Sequence, residues 1–150
     1  MTVDFSFKSA PSYRVATVEW SGTWNDRSIR SHFEELDRSA REAGIRTGKW
    51  IFRELDDNRF QACIEVKGEA RSNGKFHVRT LPAVEVASVV FDPDEVSSRV
   101  VYHGLNDWLR WRKKDGEVRS VSSAREVYGG NPWKDKNAWA RTEVQFIVRK

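Results

Sequence analysis

The chain is poor in the features that would place it quickly. Among 150 residues there is one cysteine. Cys63 therefore has no partner for an internal disulfide, and a reducing compartment is the expected home. No apolar run approaches the roughly 20 residues needed to span a bilayer. The opening Met-Thr-Val-Asp-Phe has neither the basic nor the apolar segment of a secretory leader. The expectation is a cytoplasmic protein without a membrane partner. Catalytic signatures are missing too. There is no G-x-S-x-G, no phosphate-cradling loop and no dinucleotide fingerprint. His32, His77 and His103 show no metal-ligand spacing, and Cys63 has no histidine beside it. No metal and no cofactor are expected.

Charge of a single sign is also absent. Lys and Arg number 26 and Asp and Glu 22, a net charge of +4. The basic residues alternate with acidic ones, as in Arg38-Ser-Ala-Arg-Glu and Arg110-Trp-Arg-Lys-Lys-Asp. That pattern is a solvated surface rather than a phosphate-tracking stripe, so no direct nucleic-acid binding is expected.

Tryptophan is abundant: seven in a chain of this size. A core of these dimensions does not need so many bulky rings with polar tips. The chain also repeats itself. Phe5–Trp20 returns without a gap as Phe76–Phe91, shifted by 71 positions and identical in five of sixteen columns, Pro11/Pro82 among them. Val3–Lys8 and Tyr13–Trp20 read as strands. A helix beginning near Asn25-Asp26 carries Ile29, Phe33, Leu36, Ala40 and Ala43 on one stripe and closes at Gly44. After a turn at Arg46-Thr-Gly48, Lys49–Leu55 and Arg59–Val66 form a strand pair around Asp56-Asp57-Asn58. Lys67–Lys75 reads as a linker. The order then recurs, with strands Phe76–Thr80 and Glu85–Phe91. A helix follows with Pro93 in its first turn and Val101, Leu105, Trp108 and Arg112 on its stripe. Strands Ala124–Tyr128 and Arg141–Val148 close the chain around the loop 129–138. The expected architecture is one α+β domain over 1–150, with an internal repeat of 1–66 and 76–150. Each half is a βαββ module, and a ligand cleft is expected where they meet.

These residues resemble the GyrI-like effector-binding family. The similarity rests on Ser21-Gly22-Thr23-Trp24, Phe33-Glu-Glu-Leu36 before Gly44, and Asp56-Asp57-Asn-Arg59-Phe60-Gln-Ala-Cys-Ile-Glu-Val66. It continues through Leu81-Pro82-Ala83, Trp108-Leu109 before Gly116, Arg125-Glu126-Val-Tyr128 and Thr142-Glu143-Val-Gln-Phe-Ile-Val148. The chain departs from the family pattern at Phe91-Asp-Pro and at Ile147. The resemblance implies an antiparallel sheet with a pseudo-twofold, two long helices on one side, and a central cavity for small organic compounds, often cationic and aromatic. Family members serve as sensing halves of AraC-type and MerR-type regulators. Others stand alone, including a gyrase inhibitor and hydrolases of cyclopropane-containing genotoxins. With no room for a helix-turn-helix in the sequence, a stand-alone member is expected.

Glu143 shares a strand face with Gln145 and Ile147, while Val144, Phe146 and Val148 face the other way. If the latter face meets the helix, Glu143 turns toward the cavity, and the repeat sets Gln61 opposite it. The alternative is an edge-strand carboxylate in water or paired with Arg141. Glu126 and Tyr128, two apart, share a face and could receive a cation or supply an acid and a base; alternatively they are a surface pair at a strand end. Trp108 reads as core. Trp20 and Trp24 flank the first turn, Trp133 and Trp139 lie on or beside the last loop, and Tyr13 could point into the same space. Three functions stay open: a binder of a small aromatic compound, cationic or neutral, a hydrolase using Glu143, Glu126 and Tyr128, and an interaction module acting on gyrase or a separately encoded regulator.

Overall fold

In the computed structural model, residues 3–56 and 58–150 are described; Asp57 of the expected turn lies outside them. The elements run β1 (Ser6–Ala10), β2 (Tyr13–Ser21), α1 (Asp26–Glu42), β3 (Arg46–Asp56), β4 (Arg59–Lys67), β5 (His77–Leu81), β6 (Val84–Phe91), α2 (Ser98–Lys114), β7 (Ser120–Tyr128), α3 (Lys136–Ala140) and β8 (Thr142–Arg149). The strands form one curled antiparallel sheet in the order β1-β6-β8-β7-β3-β4-β2-β5. That order reads the same from either edge when β1–β4 are exchanged for β5–β8. At its centre, β3 lies against β7.

Local sequence sets the helices. The Asn25 side chain accepts the Ser28 amide, Asp26 complements the first turn, and Ile29, Phe33, Leu36 and Ala40 form the buried stripe of α1. Gly44, at φ 75°, ends it in a left-handed conformation that a side chain would strain. In α2 the buried stripe is Val101, Leu105 and Leu109. Trp108 lies at its margin, against Phe5 and Phe7.

Cross-strand pairing shows which face each residue takes, because directly paired residues point the same way. One row crosses six strands as Val18, Ala62, Phe52, Glu126, Val144 and Val89. Both long helices pack on this face, α1 over Ala62, Phe52 and Ile64 and α2 over Val144, Val89 and Phe146. The next row belongs to the opposite face: Glu19, Gln61, Arg53, Arg125, Gln145 and Ser88. Beside it Tyr13, Val15, Ile51, Cys63, Leu81 and Val127 form a third apolar cluster. Fully burying one of the large side chains in these clusters contributes roughly 1.5–3 kcal/mol.

Several expected boundaries move. β3 starts at Arg46 instead of after a turn at 46–48. The register shift between Thr47 and Trp50 absorbs Gly48, whose missing side chain leaves room for the Glu65 carboxylate. α2 begins at Ser98, so Pro93 sits in the preceding turn and not in the first turn of the helix. β7 extends back to Ser120, through polar residues with no clear alternation. The loop 129–138 runs into a short helix, α3, whose cap is the Asp135 carboxylate accepting the Asn137 amide. Among the described residues no helix is long and apolar enough to cross a membrane.

Candidate functional site

Between α1 and α2, above the central β3–β7 pair, lies an open cavity of about 930 Å³. That is within the range of pockets that hold drug-sized ligands. Aromatic side chains dominate its wall: Phe33 from α1, Phe52 from β3, Tyr128 from β7, Tyr102 from α2, and Trp133 and Trp139 from the last connection. Trp24 stands at the mouth, 56% exposed, with its edge on Phe52 and Phe60 and its indole N–H donating to Asp26 (3.1 Å). Trp139 is held by donating to Asp94 (3.0 Å), so the segment before α2 and α3 are tied together at the rim.

The floor carries one carboxylate. Register places Glu126 beside Phe52 and faces it into the cavity. Its two oxygens accept separate phenol hydrogens, from Tyr102 (2.9 Å) and Tyr128 (2.9 Å). Burial pushes the Glu126 carboxyl above its ordinary range, and the two phenols only partly oppose that. Both phenols are themselves driven upward, first by burial and then by the neighbouring Glu126 charge, so they remain donors. Among the described residues no lysine or arginine forms an ion pair with Glu126. Asp26 and Glu54 add carboxylates to the same cavity. The arrangement is an aromatic box with a carboxyl group at its base, and among the described residues no basic side chain pairs with it. Such a box attracts a cation both through the carboxylate and through the ring faces.

The sequence profile of the GyrI-like small molecule binding domain matches residues 4–149. The chain belongs to the GyrI-like family. Its structure is similar to EcmrR in a complex with DNA (20% identity, TM-score 0.77, covering 99% of this chain and 58% of that one). The present chain thus spans just over half of that protein. It is similar as well to the isolated C-terminal domain of EcmrR (17% identity, TM-score 0.74, covering 100% and 99%). A hydrolase encoded by lin2189 from Listeria innocua is a more distant likeness (9% identity, TM-score 0.52, covering 97% and 91%). At these identities the likenesses show the fold. A search of curated proteins returned no match.

Within this GyrI-like fold the expected site residues divide between two faces of the sheet. Glu126, Tyr128, Trp24, Trp133 and Trp139 meet at the cavity. Glu143, Gln61 and Tyr13 do not. The facing inferred for β8 holds, since Val144, Phe146 and Val148 do meet α2. The cavity, however, lies on the helix side, so Glu143 points away from it. There it is bound by Lys8 (2.6 Å), Ser88 (2.7 Å) and Gln145 (2.7 Å). Burial alone would raise its carboxyl, but these three donors outweigh that and hold it below the usual range. Gln61 links Arg53 to Glu19 on the same face, and the Tyr13 ring lies 5.8 Å from the Arg125 guanidinium. Trp20 is on the helix side but stacks on His32 at 4.0 Å, packed into the α1 core outside the cavity.

Sequence reasoning missed Tyr102 and Glu54. Tyr102 immediately follows Val101 on the α2 stripe, and nothing in the helical period distinguishes its phenol from a surface one. Glu54 did leave a trace. Arg53-Glu54 recurs 72 positions later as Arg125-Glu126, the same offset that relates Ile29 to Val101. Arg53 and Arg125 are direct cross-strand partners.

Proposed function

We propose that this GyrI-like domain captures an aromatic organic cation, with Glu126 as counter-charge and the rings of the cavity as stacking walls. The observation that carries the reading is the Glu126 carboxylate, set between two phenols at the base of an aromatic cavity without a cation of its own. Family membership supports binding of a small molecule; the carboxyl and the rings around it support its charge and its aromatic character. Tyr102 and Tyr128 occupy both oxygens through hydrogen bonds, which fixes the carboxylate in place before the ligand arrives. Preorganisation of that kind lowers the cost of binding. Trp24 and Trp139, tethered to Asp26 and Asp94, close over the ligand from the rim. We further infer that the two halves are copies of one βαββ unit, as the palindromic strand order and the repeated Arg-Glu pair support. The cavity then sits on the pseudo-twofold, and charge at its two related positions is unequal in depth: Glu126 inside, Glu54 at the mouth.

Calorimetric titration with tetraphenylphosphonium and with N-methyl-phenylpyridinium tests the reading. Saturable binding of one cation per chain is expected, with quenching of tryptophan emission. Absence of binding by both probes, in a protein shown to be folded, would overturn it.

A further inference from the structure

Glu54 stands exposed near the end of β3. Among the described residues its carboxylate enters no hydrogen bond and no ion pair, whereas its neighbours in the cavity are accounted for. Asp56 pairs with Arg59 (2.9 Å). Asp26 complements the start of α1 and holds the Trp24 indole. Glu54 nevertheless lines the cavity. Its placement relative to Glu126 is fixed by the sheet. Phe52 is directly opposite Glu126 across the β3–β7 pair, and Glu54 is the next residue of β3 on the same face. The two glutamates are therefore diagonal neighbours on adjacent strands, roughly 7–8 Å apart at the backbone. Glu126 is half-buried at the floor and Glu54 is exposed at the mouth.

Among the described residues Arg125 is the basic residue that lines the cavity. Its guanidinium is committed on the far face of the sheet, donating to Gln145 (2.8 Å). A monocation seated on Glu126 would leave Glu54 without a counter-charge one pleat away. A ligand carrying two positive charges on one rigid aromatic frame would satisfy both glutamates at once.

We infer that Glu54 is a second specificity-determining residue of the cavity, and that the ligand class it selects is an aromatic dication with its charges about one ring pair apart. This inference rests on the cation-binding reading above and narrows it. The bipyridinium frame of methyl viologen fits, because its two nitrogens are separated by close to the roughly 7–8 Å between diagonal strand positions. N-methyl-phenylpyridinium has nearly the same shape and one charge fewer.

The matched pair makes the test. Dissociation constants of methyl viologen and N-methyl-phenylpyridinium are measured by calorimetry on the native protein and on Glu54→Gln, at low and moderate salt. The dication is expected to bind about tenfold more tightly to the native protein, a gain moderated by the exposure of Glu54 to solvent. In Glu54→Gln that gain should disappear while the monocation's affinity changes by less than about threefold. A dication that binds no more tightly than the monocation, or a gain that survives Glu54→Gln, overturns the inference and leaves the cation-binding reading standing. If neither of these ligands nor tetraphenylphosphonium binds, the broader reading fails and this one with it.

Discussion

Replacing Glu126 by glutamine preserves the shape of the cavity floor and removes only its charge. The amide can still accept one phenol hydrogen and can donate toward the other oxygen, so Tyr102 and Tyr128 need not move far. A cation about 4 Å from the native carboxylate gains about 4 kcal/mol at an effective dielectric near 20. Part of that is offset. Burial has raised the Glu126 carboxyl, so near its titration range the ligand must first displace a proton, and the glutamine dipole retains some attraction. The net loss expected is about 2 kcal/mol, or roughly thirtyfold in Kd. Calorimetry with N-methyl-phenylpyridinium at about pH 8, well above the ordinary carboxylate range, measures it. Neutral phenylpyridine, which lacks the charge, should bind both proteins equally. A loss under about threefold for the cation, or an equal loss for both compounds, would refute the role assigned to Glu126.

The same variant has a stability signature. Because the folded carboxyl of Glu126 is raised, its contribution is fully present below the unfolded range and is lost as pH rises through the folded value. Glu126→Gln should therefore melt higher than the native protein at neutral pH and lose that advantage in acid. Glu143 is the mirror case: its folded carboxyl is lowered, so its contribution is present at neutral pH and lost as pH falls through the folded value. Glu143→Gln should cost about 1–3 kcal/mol in neutral denaturant titrations, less in acid, and leave cation affinity unchanged. Trp24→Ala should weaken cation binding by about 0.5–2 kcal/mol with little change in melting temperature, since the ring is more than half exposed. Leu105→Ala, at a fully buried position of α2, should cost about 2–5 kcal/mol by thermal unfolding.

The long helices were legible because their apolar stripes repeat at the helical period and carry their own punctuation, Asn25 before α1 and Gly44 after it. Strand pairs were legible wherever side chains alternate, as in β2 and β8. β7 is a counter-example. Ser120–Ser123 does not alternate cleanly, and only pairing with β8 makes it a strand. α3 has five residues, too few for a period to show. For the site, alternation separated Glu143 correctly from Val144 and put Glu126 with Tyr128. What it could not supply was the side of the sheet on which space opens. That depends on two helices on one face leaving a gap over β3 and β7, a property of spacing between elements and not of any residue. Hence Glu143 and Gln61, equally well facing by period, belong to a polar array on the reverse side.

The order of strands has a consequence for how the molecule holds together. β1 does not pair with its sequence neighbour β2 but with β6, and β5 pairs with β2. The segments before 68 and after 74 each lend their leading strand to the other, like two people linking arms. Cutting the backbone within 68–74 should thus give fragments that stay clasped, whereas either fragment alone would expose open strand edges and half of a cavity floor. A ligand resting on β3 and β7 together, as proposed above, would bridge that seam and add to the hold between the fragments.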